Sequence, residues 1–514
     1  MLWKVLATGL LLNLLLVLPA WWRDGQWGSV LIAPEAWLLA ALFAALPKKN
    51  WARVAAWLTA MILALVVIAL FFDGLLHQVL SRELNVLLDP LMLQAGFHLI
   101  DGSLGRSAAV LASILLLLLC ALLVLALRRI LNPGQWFHPA TKAMVIVAAL
   151  ATVIAQFNVF AGARITPVAA ELVVAQTEQV RQTLQSQREF QHALTSKRMD
   201  ARSIDGLAGR DVYLVFIESY GVSVIDQDRY REHLLPLLEQ AEANLREAGL
   251  ATRSTRLKAP IRGGQSWLAH ATVLTGLHID NQYAYRLFLD SGADTLADDF
   301  RATGHAGLKL SPAIIMDWPE GDQLGFDQVY SATDLHYQGP SLGWVTMPDQ
   351  YTLHHFSEHI RPGYKEPVFA QIALISSHAP WTPVIEAIDW SKIGDGRVFE
   401  HWRNAGDNPL RLWTQPERLR KAYRKSIEYS LAVTLDWAVH ALPEGGLLIV
   451  MGDHQAASPV TGRGVSAEVP VHVVSNDQAL LSEFQKKGFE DGMVPASSQP
   501  TGAMEDLRAM LRRL

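Results

Sequence analysis

Three apolar runs in the second half of the chain each end on residues that bind cations or phosphate. DVYLVFIES ends on Glu218-Ser219, PVFAQIALISSH on Ser377-His378, and GGLLIVMGDH on Asp453-His454. A carboxylate beside an imidazole, after the small residue Gly452, suits a divalent cation because both side chains are common ligands. Taken alone, Asp453-His454 reads equally as a solvated loop pair, and Glu218 as a cap on the helix that follows. Together, at the ends of separate strands, they point to a metal centre. A further segment, GGQSWLAHATVLTGL over 263–277, has glycines that allow close approach to a ligand and puts Ser266 at a helix start. Serine there is an ordinary N-cap residue, but the same place can bind a phosphate through backbone N–H groups while presenting a hydroxyl. That hydroxyl needs a base or a metal to become nucleophilic. A centre of Glu218, Asp453 and His454, with Ser266 as fourth ligand, would supply it.

The elements that must hold these groups follow from the pattern around them. Helical stretches at Arg231–Ala248 and around Ala422–Leu442 alternate with the apolar runs, and EVPVHVVSN adds another strand. Strands alternating with helices predict an α/β domain over 210–514 with a mostly parallel sheet. In such sheets ligands bind outside the carboxyl ends of the strands, where the polar residues fall.

The first part of the chain is different. Of 514 residues 51% are apolar and 18% charged, and the net charge is −5. That composition excludes a disordered chain and gives no electrostatic case for nucleic acid. The apolar excess lies in residues 1–163, where five stretches approach the length that spans a bilayer: Leu2–Trp22, Ser29–Leu46, Trp51–Phe72, Ala108–Leu127 and Ala143–Ala163. Pro34 and Glu35 interrupt the second, for which a re-entrant hairpin is the alternative. No A-x-A-like cleavage site follows the first. Seven basic residues (Lys4, Lys48, Lys49, Arg53, Arg128, Arg129, Lys142) lie at one set of ends, and Arg23, Arg82 and Arg106 at the other. That bias puts the N-terminus in the cytoplasm and everything after the fifth span outside, on a multi-pass protein of the cell (inner) membrane. Residues 164–209, rich in Gln and charge, read as a helical connector. The single cysteine, Cys120, lies within the fourth stretch, so the exported part has no thiol.

The combination resembles the alkaline phosphatase superfamily, and within it the membrane-anchored sulfatase-like phosphotransferases: lipoteichoic acid synthases, phosphoglycerol transferases and phosphoethanolamine transferases. DVYLVFIESYG resembles the first strand with its metal-binding acid, Glu218. Ser266 to Gly276 reproduces the ten-residue step from nucleophile to the glycine of a T-G pair. GFDQVY resembles a G-[FY]-D segment, VMGDHQ supplies the Asp-His pair, and ALISSHAPW resembles the segment whose histidine, here His378, faces the substrate phosphate. The resemblance implies one divalent ion (Mn, Mg or Zn) and a phospholipid donor. It also implies an envelope glycan or lipid acceptor and a covalent intermediate on Ser266. A membrane-anchored phosphatase or phosphodiesterase, and a degenerate lipid-binding member, are the alternatives.

The departures are specific. Trp267, Leu268, Ala269 and His270 follow Ser266 where a formylglycine-type sulfatase needs a small residue and an arginine. Gly464 and Val465 stand where phosphoethanolamine transferases carry a second histidine. Trp318 matches a head-group-binding tryptophan of lipoteichoic acid synthases, but Glu320 replaces the expected arginine. Asp317 or Glu320 would attract a cationic head group, which this departure permits. His270 reads as structural, with phosphate contact as the alternative. His472, Trp267 and Trp381 read as packing, and the C-terminal EDLRAMLRRL as a surface helix with a basic face.

Overall fold

The computed structural model describes residues 2–24, 32–93 (81 excepted), 105–131, 165–495 (197, 198 and 317 excepted) and 502–514, with isolated positions in between. The chain divides into two compact units, Met1–Gln187 and Arg188–Leu514.

The first unit contains α1 (Leu2–Asp24), α2 (Pro34–Ala45), α3 (Asn50–Leu80), α4 (Arg106–Ile130) and most of α5 (Val168–Ser196). Three of these, α1, α3 and α4, are long and apolar enough to cross a membrane. The described part of the second expected span, α2, has 12 residues. At about 1.5 Å per residue it covers about 18 Å, short of the roughly 30 Å of a hydrocarbon core. Pro34 opens this helix rather than interrupting it. The Ala33 N–H donates to Asn13 Oδ1 (2.7 Å), and Trp37 lies against Gly9, so α2 begins beside the middle of α1 and runs back along it. Glu35 accepts the Ala169 N–H (2.7 Å) and thereby caps α5. The connector α5 is helical as expected, and Gln176 and Thr183 bond it to Leu84 and Asn85. The fifth expected span, Ala143–Ala163, lies almost wholly outside the described residues.

The second unit is built on one sheet. Its strands are β1 (Val212–Ile217), β2 (Ala251–Lys258), β3 (Ala306–Ser311), β4 (Gln328–Ser331), β5 (Val368–Ala373), β6 (Leu447–Gly452), β7 (Glu468–Ser475), β8 (Glu490–Asp491) and β9 (Gly502–Ala503). The order is β4-β3-β5-β1-β6-β7-β2-β8, with β9 beside β2. The block β4-β3-β5-β1-β6 is parallel, whereas β7 runs antiparallel to β6 and β2 antiparallel to β7. The sheet is therefore mixed. The parallel strands need crossover segments, but β6 and β7 are joined through residues 453–467, which hold only a four-residue helix and return the chain in the opposite direction.

Every residue of β1 is buried: Tyr213, Val215 and Ile217 face one core, and Val212, Leu214 and Phe216 the other. An unbroken apolar run is what a strand covered on both faces requires. Helices α6 (Asp228–Glu247), α7 (Ser266–Thr275), α8 (Leu296–Ala302), α9 (Asp349–His355), α10 (Pro416–Ala441) and α11 (Asp506–Leu511) complete the frame.

The C-terminal helix departs from the surface reading. Arg508 is buried and donates to both oxygens of Asp299 (2.8 and 3.1 Å), which is fully buried, and to the carbonyl of Thr275 at the end of α7. Arg512 joins the same carboxylate. Burial opposes the charge on Asp299, yet the two guanidinium groups hold its pKa below the usual value. Removing one partner of such a buried pair costs about 3–5 kcal/mol. Arg508→Ala is thus expected to lower the thermal midpoint well beyond Arg512→Ala, whose side chain is more exposed. Equal, small shifts in a melting experiment would contradict that assignment.

Candidate active site and metal centre

Strands β5, β1 and β6 are neighbours, so their carboxyl ends deliver His378, Glu218 and Asp453-His454 to one edge of the sheet. Glu218, Asp453 and His454 are buried, and their ligand atoms all lie within 4.8 Å of one another. Among the described residues this is the one such group. His454 Nε2 is 3.3 Å from Glu218 Oε1. Ser266, the first residue of α7, donates from Oγ to Glu218 Oε2 at 2.7 Å and stands 3.4 Å from His454 Nε2. Four residues expected to meet are thereby brought together.

The backbone around them explains how. Gly263 N–H donates to the Gln455 carbonyl (2.8 Å), and Arg262 bridges Gln455, tying the loop before the serine to the loop after the Asp-His pair. Gln265 then turns through a left-handed conformation, φ +68°, to start α7. Gly452 is required by space: a Cβ there would lie 1.8 Å from the carbonyl oxygen of Tyr220. His454 donates from Nδ1 to the Gln455 carbonyl (2.9 Å), which leaves Nε2 as the ligand atom. Asp453 Oδ1 accepts the N–H groups of Ser219 (2.8 Å) and His454 (2.7 Å). Sequence reasoning missed the supports of Glu218. Ser219, held at φ +61°, donates to its Oε1, Ser377 donates to its carbonyl, and Tyr423 donates to the Ser219 carbonyl. Only Ser219 and Ser377 carried a signal, as polar residues closing apolar strands.

The donor set fits a divalent cation: two carboxylates, one oriented imidazole and a hydroxyl, all converging. Burial and the charge of Glu218 push Asp453 up to about 8. Against burial, the carboxylates of Asp453 and Glu218 raise His454 to about 9. Burial acts upward on Glu218 as well, but His454 holds it well below its usual value. Cation binding must therefore displace protons from Asp453 and His454. The sign is that affinity rises with pH through this range. Between pH 6 and 8 the apparent affinity for Mn2+ is expected to rise about tenfold or more per unit, measured by calorimetry. A flat profile would contradict it.

His378 is half-buried beside the group: its Nδ1 donates to the Ala379 carbonyl (2.6 Å), and its ring stacks on Trp344. His270 packs on Phe216 with ring centroids 4.2 Å apart, and its buried Nε2 has no hydrogen-bond partner. Burial, then the charge of Lys309, holds it well below its usual pKa, so it is neutral. Trp318 stands beside Lys309, whose Nζ lies 5.7 Å from its ring centre. Lys309 is itself a residue that sequence reasoning missed. It is buried in β3, donates to Gln371 (2.8 Å), and burial lowers its pKa to about 7. Asp317 lies outside the described residues. Trp381 is buried against Trp413 and Tyr423, and His472 between Tyr220 and Ser254, so both are packing residues as expected.

Fold and centre together define an α/β chain with membrane-length helices and a buried Glu–Asp–His group facing a helix-starting serine. No family model and no curated protein matches the sequence. Among solved structures, the chain is similar to the lipooligosaccharide phosphoethanolamine transferase EptA of Neisseria meningitidis. Identity there is 14%, covering 93% of this chain and 87% of that one, with a TM-score of 0.45. It is also similar to the lipoteichoic acid synthase LtaP of Listeria monocytogenes, at 12% identity over 59% of this chain and 71% of that one, TM-score 0.38. A third is the Streptococcus pyogenes phosphoglycerol transferase GacH in complex with sn-glycerol-1-phosphate, at 14% identity over 63% and 89%, TM-score 0.37.

Proposed function

We propose that this chain is a membrane-anchored, metal-dependent transferase. It would move a phospho-head group, phosphoglycerol or phosphoethanolamine, from a membrane phospholipid to an envelope glycan or lipid through a covalent intermediate on Ser266. The observation that carries this reading is the placement of Ser266 Oγ, bonded to Glu218 and 3.4 Å from His454 within a buried ligand group. A lipid-binding domain has no use for a hydroxyl held in that way.

Glu218, Asp453, His454 and Ser266 would hold one divalent ion, Mn, Mg or Zn. Such an ion lowers the pKa of a bound hydroxyl and offsets phosphate charge. In the first step Ser266 Oγ, its proton released to solvent, attacks phosphorus. The bond from phosphorus to the diacylglycerol oxygen breaks, and that oxygen takes up a proton from solvent. In the second step an acceptor hydroxyl attacks the same phosphorus and gives up its proton to solvent, the bond from phosphorus to Ser266 Oγ breaks, and the serine is restored. His378 would face the phosphate and Trp318 the head group, while His270 packs on Phe216. The Lys/Arg bias of the loops supports a second unit on the periplasmic or extracellular side of the cell (inner) membrane.

The test is to incubate the detergent-purified protein with Mn2+ and either labelled phosphatidylglycerol or labelled phosphatidylethanolamine, with and without an envelope glycan. Metal-dependent diacylglycerol release identifies the donor, and label on the glycan rather than in water identifies transfer. Release without transfer would make the protein a phosphodiesterase, and no release from either lipid would overturn the proposal.

A further inference from the structure

A second group of imidazoles lies outside the proposed active centre. The segment YTLHHFSEHI carries His354, His355 and His359 at the end of α9 and into the π-helical turn Phe356–Ile360 that continues it. His355 and His359, four residues apart, project from the same side, as residues at that spacing do. Their ring centroids are 4.9 Å apart. From the segment after β4, His336 brings a third ring to 6.2 Å from His355, at 76° to it. Two imidazoles on one tetrahedral ion, with metal–nitrogen bonds of about 2.0–2.1 Å, have centroids about 5 Å apart. The His355–His359 pair already has that spacing. His336 and His359 are exposed and free to change rotamer, which is how the three nitrogens would converge.

The surroundings of His355 suit a ligand. Tyr351 donates its one hydroxyl proton to the Leu335 carbonyl (2.7 Å), so at its 3.4 Å contact with His355 Nδ1 the ring N–H is the donor. That fixes the tautomer and leaves the Nε2 lone pair for a cation, the arrangement that supports metal-ligating histidines generally. π-helical turns are uncommon and occur frequently at functional sites.

We propose that His355 and His359, completed by His336, form a second cation site that takes a late first-row divalent ion such as Zn2+ or Ni2+. An all-imidazole set favours these ions over Mn2+ or Mg2+, and so differs from the two carboxylates of the active centre. The ion would fasten the segment after β4 to α9. The first residue of α9, Asp349, accepts the N–H groups of Ile375 and Ser376 (2.8 Å each), three and two residues before His378. The second site would therefore brace the support of the loop that carries His378.

The experiment uses the full chain in detergent, without a polyhistidine tag, stripped with chelator and titrated with ZnCl2 and, separately, NiCl2. Wild type is compared with His359→Gln, which changes only an exposed side chain, and with His336→Gln. The expected result is that His359→Gln loses one equivalent of bound ion, or weakens that equivalent at least tenfold, with a smaller loss in His336→Gln. In Co2+-loaded protein, the visible absorption of that equivalent is lost with it. Zn2+ should also raise the thermal midpoint more in wild type than in His359→Gln. Equal stoichiometry and affinity in wild type and both variants would overturn the proposal, whatever the fate of the active centre.

Discussion

Ser266→Ala is expected to reduce head-group release by at least about a thousandfold, because it removes the atom on which the intermediate forms. The protein should still fold, since the lost group is one hydroxyl with a single strong partner, Glu218, worth roughly 1 kcal/mol. Ser266→Thr keeps a hydroxyl at the same place and should retain activity. The contrast matters because Ser266 also starts α7, and a purely structural role would respond to loss of its helix-starting position. Comparable release by Ser266→Ala and wild type, assayed on the same lipid, would remove the serine from the chemistry. Equal loss in the alanine and threonine variants would point to the helix start instead.

The second large effect is expected at Asp453. Asp453→Asn preserves shape, and its remaining oxygen can still accept the N–H groups of Ser219 and His454. It removes a ligand charge from the centre. Mn2+ affinity should fall at least about a hundredfold, more than the 10–100-fold typical of losing an outer-shell support. Activity at low metal should fall in parallel and recover partly as Mn2+ is raised. A variant whose lost activity does not respond to metal concentration, with unchanged Mn2+ binding, would show that Asp453 is not a ligand.

How much of this was legible in the sequence differs from residue to residue. Glu218, Asp453 and His454 could be read because an apolar run that stops on ligand-type residues is a local pattern, and neighbouring parallel strands bring such stops together. Ser266 was legible for the same reason: glycines, a serine and a helix follow one another. The direction of β7 was not, because a strand carries no mark of its polarity; the connection from β6 decides it. Arg508 was read as exposed because arginine usually is, and its partner Asp299 stands 209 residues earlier. Lys309 gave no signal either. One lysine in AGLKLS looks like a solvated strand position until β5 supplies Gln371 and the loop beyond supplies Trp318. The start of α2 at Pro34 was not legible either: its N-cap Ala33 donates its N–H to Asn13 on α1. The misses at Arg508 and Lys309 involve partners distant in sequence.

The central claim is that a head group is carried on Ser266, and mass spectrometry of the protein quenched during turnover tests it most directly. With the lipid that supports release, the peptide containing Ser266 should gain the mass of the phospho-head group in the presence of Mn2+, and lose it when acceptor is added. No adduct at full turnover, or an adduct on any other residue, would contradict the account.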